Sequence, residues 1–197
     1  MKTLVLGSTS TFRKSILEKL NLPFICAKPD INEEAKADET PQALVERLAI
    51  EKAQAVSREF NDALIIGSDQ VAVCDGEILG KPHHFDNALK QLQKFSGKCV
   101  TFYTGLAVLD VQSGKTVSLV EPFHVHFKNL SMQAITQYLH AEEPYNCAGS
   151  FKSEGLGICL FEKLAGDDPN SLIGLPLIRL TELLDQQGIN VLSEQSS

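Results

Sequence analysis

Apolar runs and amphipathic stretches alternate along this chain. Short runs of aliphatic and β-branched residues, bounded by turn-forming residues, predict buried strands, and the first of them is Thr3–Leu6. Apolar residues that recur with helical spacing predict amphipathic helices, and one such helix starts at Thr40-Pro41, a typical N-cap followed by a typical first helical residue. Asp75-Gly76 between two apolar runs predicts a hairpin. The pattern therefore predicts strands and helices that follow one another along the chain.

The same pattern predicts the remaining elements. Further strands are expected at residues 24–27, 100–111, 116–125 and 158–161. Further helices are expected at residues 85–96, 131–142 and 176–187. Residues 166–170 are expected to form a turn, and the polar residues 193–197 are expected to fray.

A single acid, Asp69, interrupts the apolar run of residues 63–73. Burying an unpaired carboxylate costs several kcal/mol, so Asp69 should meet a metal ion, a cationic side chain or solvent in a cleft. Gly67, two residues earlier, would let a ligand approach the backbone closely. The alternative is an aspartate that caps a turn between two strands, and the run alone does not decide between the two.

The loop after the first strand, residues 7–11, consists of glycine and hydroxyl residues and leads into a helix with Ser10 or Thr9 as its N-cap. A helix N-terminus favours anions, and Arg13 in the first turn adds a fork of donors suited to phosphate. An ordinary strand–loop–helix connection with a solvated arginine is the other interpretation, and this element alone favours it. Neither a P-loop nor a dinucleotide-binding glycine motif is present.

Two further charged positions have both an ordinary and a functional interpretation. Residues 29–39 contain five acids, which is typical of a solvated loop, although Glu33 together with Asp69 would suffice for magnesium that also binds substrate phosphates. Lys52 lies on the apolar face of its predicted helix, four residues from Leu48 and from Val56. Such a lysine usually extends its amine to the surface. We favour the other interpretation, an ammonium group delivered to a substrate phosphate in the cleft, because an acid, an arginine and this lysine all arise from strand ends or inward faces.

Composition limits the classes of partner. The 197 residues carry a net charge of −7, which argues against broad binding to nucleic acid or to an anionic membrane. The apolar run at the N-terminus is too short for a signal peptide or a membrane span, so we expect a cytoplasmic protein.

Five cysteines without a C-x-x-C pair are expected to be core thiols. His124 and His126 have a spacing compatible with metal binding, but a polar sheet face explains them better.

Several short motifs, taken together in their order along the chain, resemble the Maf family of nucleotide pyrophosphatases. They are Gly7-Ser8-x-Ser10-x-x-Arg13, Glu33, Glu51-Lys52-Ala53, Gly67-Ser68-Asp69-Gln70 and Gly80-Lys81-Pro82. The likeness extends from Leu4 to about Leu184. Three later stretches look like the branch of the family that hydrolyses 7-methyl-GTP, and they begin at Thr101, Ala148 and Asp168.

This resemblance implies an α/β fold, three-layer α/β/α, with an elongated mixed sheet and a central cleft, similar to inosine triphosphate pyrophosphatases. It implies one domain over residues 1–192 with two lobes, and it suggests a homodimer. It also implies a divalent metal cation, Mg, Mn or Co, and cleavage between the α- and β-phosphates of a nucleotide.

The resemblance also assigns roles to individual residues. Asp69 would be the proton acceptor and a metal ligand. The phosphate and metal shell would consist of Ser8, Arg13, Glu33, Lys52 and Lys81. Phe12, Gln70 and Glu154 match the positions that separate this branch from relatives that use dTTP and UTP. Phe12 stands where the branch often has tryptophan, so an aromatic ring is kept.

The chemistry of 7-methylguanine fits two of these positions. An ionised glutamate accepts hydrogen bonds only, so Glu154 is suited to the two donors of guanine, N1–H and N2–H2. Methylation at N7 makes the base cationic, and Phe12 would attract it through its ring face. Two alternatives stay open: a pyrophosphatase for dTTP or UTP, and a regulator of cell division that binds a nucleotide without hydrolysing it.

Overall fold

A computed structural model describes residues 2–195 of the chain. Its strands are β1 (Thr3–Leu6), β2 (Phe24–Cys26), β3 (Ala63–Cys74), β4 (Glu77–Leu79), β5 (Cys99–Asp110), β6 (Thr116–Phe127) and β7 (Phe161–Ala165). Its α-helices are α1 (Thr11–Leu17), α2 (Pro41–Ser57), α3 (Phe85–Phe95), α4 (Met132–Glu142), α5 (Pro169–Ile173), α6 (Leu177–Gln186) and α7 (Val191–Glu194). Short 3-10 helices occupy Glu18–Leu20, Ala148–Ser150 and Leu156–Leu160.

The strands form one mixed sheet in the order β2-β1-β3-β5-β6-β7, and β4 pairs with β3. β1 is parallel to β2 and to β3, and a parallel pair needs a crossover connection. Those crossovers contain α1 and α2. The β3–β4 and β6–β7 pairs are antiparallel, so the predicted mixed α/β sheet is confirmed.

The chain divides into two compact units. Unit 1 contains the residues up to Asp69, Thr104–Glu121 and the residues from Asp168 onward. Unit 2 contains Gln70–Tyr103 and Pro122–Asp167. β3, β5 and β6 contribute residues to both units. The predicted cleft stays a prediction.

The core of unit 1 has helices on both faces of the sheet. Leu4 and Leu6 of β1 pack in one apolar cluster with residues of α1 and α6. Val5, whose side chain points to the opposite face, packs in a second cluster with Ala53 and Val56 of α2. The period-2 alternation of β1 therefore places a helical layer on each side of the sheet, as the three-layer prediction requires.

The core of unit 2 contains a group of phenylalanine rings at separations typical of aromatic packing. The ring centroids lie 4.8–5.7 Å apart in the contacts that join Phe95, Phe102, Phe127, Phe151 and Phe161. These rings come from α3, from three parts of the sheet and from the segment after α4. The core of unit 2 is therefore rich in aromatic rings, whereas that of unit 1 is mostly aliphatic.

Two sequence predictions in the last third of the chain need correction. The strand predicted at residues 158–161 is mostly a 3-10 helix, and β7 begins only at Phe161, because the apolar residues Leu156 and Ile158 are exposed rather than directed into the core. The turn predicted at residues 166–170 is present only in its first part, where residues 166 and 167 form a bend, and α5 begins at Pro169. Asp168 caps this helix and Pro169 is its first residue, the same signal that starts α2.

The prediction of five core thiols is also wrong. All five cysteines are free, but Cys74 alone among them is buried, while Cys26, Cys99 and Cys159 are exposed. Apolar neighbours in the sequence predicted burial, yet an edge strand or a short turn can expose a residue between buried neighbours. The His124 and His126 rings contact Thr101 and Cys99, respectively, which agrees with a polar sheet face.

The C-terminal residues carry defined contacts as far as the structure describes them. Asn190 caps α7 by accepting a hydrogen bond from the Ser193 amide, and the Gln195 amide group donates to the Leu20 carbonyl at 2.8 Å. Residues 196 and 197 of the predicted frayed end lie outside the described residues. The domain boundary at residue 192 stays a prediction. Within residues 2–195, no helix combines the length and the apolar character that a membrane span needs.

Candidate active site

Asp69 is an acid inside a core strand. β3 runs without interruption from Ala63 to Cys74, and its residues up to Asp69 are buried. The Asp69 carboxylate accepts a hydrogen bond from Lys52 Nζ at 2.6 Å. Of the partners that the sequence allowed for this carboxylate, the structure supplies a cationic side chain. The alternative of a turn cap is wrong, because β3 continues beyond Asp69.

Lys52 is the link between two carboxylates. It is 5% exposed, and its Nζ lies 2.8 Å from Glu33 Oε1 as well as 2.6 Å from Asp69 Oδ1. The Glu33 side chain is 60% exposed, so the ammonium group lies between one nearly buried acid and one solvent-facing acid. The ordinary interpretation, in which Lys52 extends its amine to the surface, is therefore wrong.

A glycine brings these groups together. A Cβ atom on Gly67 would lie 2.0 Å from the Ala49 carbonyl oxygen, so only glycine lets β3 pass this closely to α2. Lys52 is on α2, one turn after Ala49, and Asp69 is two residues after Gly67. The close contact of helix and strand thus places Lys52 within hydrogen-bond distance of Asp69. The packing of α2 on β3 is thus a role of Gly67 that the sequence did not indicate, and ligand approach at Gly67 stays a prediction.

The loop before α1 is ordered by its hydroxyl groups. Ser10 is the N-cap and accepts a hydrogen bond from the Arg13 amide at 3.3 Å. The buried Ser8 accepts one from the Ser10 amide at 3.1 Å. This arrangement fixes the start of α1 and, with it, the position of Arg13.

Arg13 is held by a backbone carbonyl. Its Nε donates to the Gly174 carbonyl oxygen at 2.9 Å, and Ser68 Oγ donates to the same oxygen at 3.1 Å. Burial lowers the pKa of Arg13, while the charges of Asp69 and Glu33 act to raise it. The alternative of a solvated arginine therefore does not hold, and this guanidinium lies within electrostatic range of both acids.

The segment between α5 and α6 presents the Gly174 carbonyl. Asp168 accepts hydrogen bonds from Asn170 with one carboxylate oxygen and from the Ile178 amide with the other, which ties the start of α5 to the start of α6. Gly174 has φ 128°, a conformation that favours glycine, and a Cβ there would meet Arg13 Nε at 3.5 Å. Sequence reasoning missed this role of Gly174 and Asp168, although the motif that contains them was noticed.

The structure groups the predicted site residues by unit. Unit 1 contains Ser8, Phe12, Arg13, Glu33, Lys52 and Asp69, and contacts or electrostatic effects connect Arg13, Glu33, Lys52 and Asp69. Phe12 is half-buried on α1. Unit 2 contains Gln70, Lys81 and Glu154. Convergence of the two sets on one substrate stays a prediction.

Within unit 2, Lys81 and Glu154 both affect the pKa of one thiol, that of Cys147. Burial raises the pKa of Cys147 to about 11, Glu154 adds to this rise, and Lys152 and Lys81 oppose it. Glu154 itself is exposed, and Lys152, two residues earlier, donates from Nζ to the Glu142 carbonyl at 2.7 Å. The loop that carries Glu154 is thus attached to the end of α4.

Comparison with known proteins identifies the family. The model of the family described as "Maf-like protein" matches residues 3–187. This chain belongs to the Maf family. A protein of Colwellia psychrerythraea is 72% identical over 196 residues, which cover 100% of this chain and 98% of that protein. A protein of Pseudoalteromonas translucida is 59% identical, with coverage of 98% and 96%, and one of Pseudomonas savastanoi pv. phaseolicola is 53% identical, with coverage of 97% and 100%. All three are named 7-methyl-GTP pyrophosphatase.

The donor atoms of this Maf chain fit a metal ion that is shared with a substrate. Enzymes that cleave nucleotide phosphoanhydrides generally use divalent cations, which bridge the phosphate oxygens. Residues 2–195 contain no group of three or more His, Cys, Asp or Glu side chains that could hold a metal ion. Asp69 and Glu33 do face the same ammonium group. Two carboxylates with phosphate oxygens are a common ligand set for Mg²⁺, and the carboxylates of Asp69 and Glu33 fit the protein's part of such a set.

Proposed function

We propose that this chain is a nucleoside triphosphate pyrophosphatase that hydrolyses 7-methyl-GTP to 7-methyl-GMP and pyrophosphate and so removes modified nucleotides from the pool. The observation that carries the proposal is the nearly buried Asp69, oriented by Lys52 at 2.6 Å. An acid and a lysine inside a core strand and its packing helix are expensive to bury and are typical of a functional site. The names of three relatives at 53–72% identity support the choice of substrate.

In this proposal Asp69 orients the attacking water and accepts its proton. The hydrogen bond from Lys52 holds one oxygen of the carboxylate, which favours one orientation of the base before the substrate binds. Cleavage of a phosphoanhydride develops negative charge on the leaving pyrophosphate. Arg13 and Lys52, with Lys81 as a third cation, would stabilise that charge.

A divalent cation, Mg, Mn or Co, completes the proposed site. Asp69 and Glu33 would hold it, and it would supply positive charge at the phosphate oxygens. Because both carboxylates bind Lys52 in this structure, the lysine would have to share them when the cation arrives with the nucleotide. Ser8 and Arg13 would then bind phosphate oxygens at the start of α1.

The base would be read by three residues. Glu154 would accept the N1–H and N2–H2 donors of guanine, and its exposed carboxylate is accessible for this role. The half-buried ring of Phe12 would face the cationic base, which is worth about 0.5–2 kcal/mol depending on desolvation. Gln70, next to the catalytic acid on β3, would hydrogen-bond the base or the sugar.

Two further parts of the proposal follow from the family resemblance. We expect the protein to act as a homodimer, which light scattering of the purified protein would measure. We also expect it in the cytoplasm, where its nucleotide substrates are. Neither expectation affects the chemistry proposed for Asp69.

The decisive experiment measures pyrophosphate release from a panel of nucleotides with Mg²⁺, Mn²⁺ and Co²⁺. We expect 7-methyl-GTP to be preferred, pyrophosphate rather than orthophosphate as the product, and loss of turnover in D69N, with circular dichroism to show that the variant is folded. Preference for dTTP or UTP would assign the chain to a sister activity. Tight binding without release would favour a nucleotide-binding regulator, and wild-type turnover by folded D69N would disprove the role of Asp69.

A further inference from the structure

The acidic loop, defined as residues 27–39 between β2 and α2, contains no helix or strand, and most of its side chains are exposed. A loop of this composition is expected to be mobile in solution. It nevertheless brings Glu33 to 2.8 Å from Lys52 Nζ. A specific contact is therefore needed to hold the loop against α2.

Arg47 of α2 supplies that contact with two of its guanidinium nitrogens, Nε and Nη2. Nε and Nη2 donate to the two oxygens of Glu39 at 2.6 and 2.8 Å, and this bidentate geometry is the strongest that arginine makes with a carboxylate. Nη2 also donates to the Glu34 carbonyl oxygen at 3.0 Å. Nη1 donates to Glu51 at 3.0 Å.

The pair of Arg47 and Glu39 is largely protected from water. The side chains of Arg47 and Glu39 are 16% and 8% exposed, so solvent screens their interaction less than it screens a surface pair. Glu39 anchors the end of the acidic loop, and the Glu34 carbonyl anchors the backbone directly after Glu33. One guanidinium thus holds the loop at two points, and both follow Glu33 in the sequence.

We propose that Arg47 is a positioning residue that holds Glu33 against Lys52 and so maintains the pair of carboxylates around that lysine. The proposal deepens the proposed function, because it names a residue that acts on the same site without touching substrate. Arg47 and Lys52 lie on one helix, five residues apart, so α2 carries both the lysine and the anchor for its outer partner. Lysine cannot replace Arg47, since an ammonium group lacks the planar fork that binds Glu39 and Glu34 together.

The first test measures loop order and does not depend on turnover. Hydrogen exchange of peptides from residues 29–39 should become about tenfold faster or more in R47K and in E39Q, because the anchor is lost while the side-chain size is largely kept. R58A is the matched control, since Arg58 is an exposed arginine at the end of the same helix. Exchange in R47K that equals wild-type exchange would overturn the proposal.

The second test asks whether Arg47 acts through Glu33. R47K is expected to lower kcat/KM for 7-methyl-GTP by about 10- to 100-fold, the range found when residues behind metal ligands are replaced. In an E33Q background the same change should cost less than about twofold, because the residue that Arg47 positions has lost its charge. A general loss of stability would reduce activity equally in both backgrounds.

The outcomes separate the two proposals. An equal loss in both backgrounds, or an E33Q variant with wild-type kcat/KM, would overturn the role of Arg47. A wild-type protein that releases no pyrophosphate from any nucleotide would overturn the proposed function. In that case the exchange experiment would still decide whether Arg47 holds the acidic loop.

Discussion

Unit 1 holds its two site cations in different ways. Lys52 is bound by the carboxylates of Asp69 and Glu33, whereas Arg13 Nε is bound by the neutral carbonyl of Gly174. A cation between two carboxylates is already neutralised, so its first effect is to orient them. A cation held by a carbonyl keeps its charge for an incoming anion. We therefore expect Lys52 to act mainly on Asp69, and Arg13 to act mainly on the phosphates of a bound nucleotide.

The two cations should also differ in whether they matter more for the stability of the fold or for binding. The Lys52 side chain is 7% exposed and that of Asp69 is 12% exposed, so neither charge is easily solvated if the other is removed. Arg13 is half-buried, and its partner carbonyl also accepts a hydrogen bond from Ser68. Loss of Lys52 should thus damage the fold, whereas loss of Arg13 should mainly damage binding.

The largest effect is expected for K52M. Removing one partner of a nearly buried pair leaves the Asp69 charge uncompensated, which typically costs about 3–5 kcal/mol of unfolding free energy. The double variant K52M/D69N should recover much of this loss, because it removes both charges. Urea unfolding of the two single variants and the double variant measures this coupling. A double variant no more stable than K52M would show that the pair does not depend on charge compensation.

The next largest effect is expected for R13Q. Hydrogen bonds to a charged group contribute about 1.5–3 kcal/mol, so the affinity for pyrophosphate should fall by about 10- to 100-fold while the protein stays folded. K14Q is the matched control, because Lys14 is the exposed cation next to Arg13 on α1. Titration calorimetry with pyrophosphate and thermal unfolding together test the prediction. Unchanged affinity with a large loss of stability would reverse the roles assigned to Arg13 and Lys52.

The sequence predicted the positions of the two charged side chains, Asp69 and Lys52, well. One acid in an apolar run marked Asp69, and the spacing from Leu48 to Val56 placed Lys52 on the inward face of α2. Both signals are local, since a buried charge in a periodic apolar pattern needs a partner. Local residue types also predicted the N-cap at Thr40 and gave Ser10 as one of two candidates for the N-cap of α1, whereas the mixed sheet was implied by the family resemblance.

The contacts that hold Arg13 and the acidic loop could not be predicted in this way. Every residue has a carbonyl, so nothing in the residue type identified Gly174 as the acceptor for Arg13 and Ser68. The acidic loop misled for a different reason. The composition of the loop indicated a solvated segment. The loop is nevertheless held by Arg47, which lies in another element, α2, so the loop's own residues gave no sign of this contact.

The smallest effect concerns this anchor and appears as a pH dependence. The hydrogen bonds from Arg47 lower the pKa of Glu39 from 4.5 to about 2. A carboxyl group with a lowered pKa stabilises the fold above its unfolded pKa, and this contribution is lost as the pH falls from about 4.5 towards 2. Wild type should therefore exceed E39Q in melting temperature at pH 7, and the difference should shrink as the pH falls below 4.5. A difference that stays constant between pH 7 and pH 2.5 would mean that Glu39 contributes by shape rather than by charge. The loop anchor would then resemble the uncharged carbonyl that holds Arg13 more than the ion pair that holds Lys52.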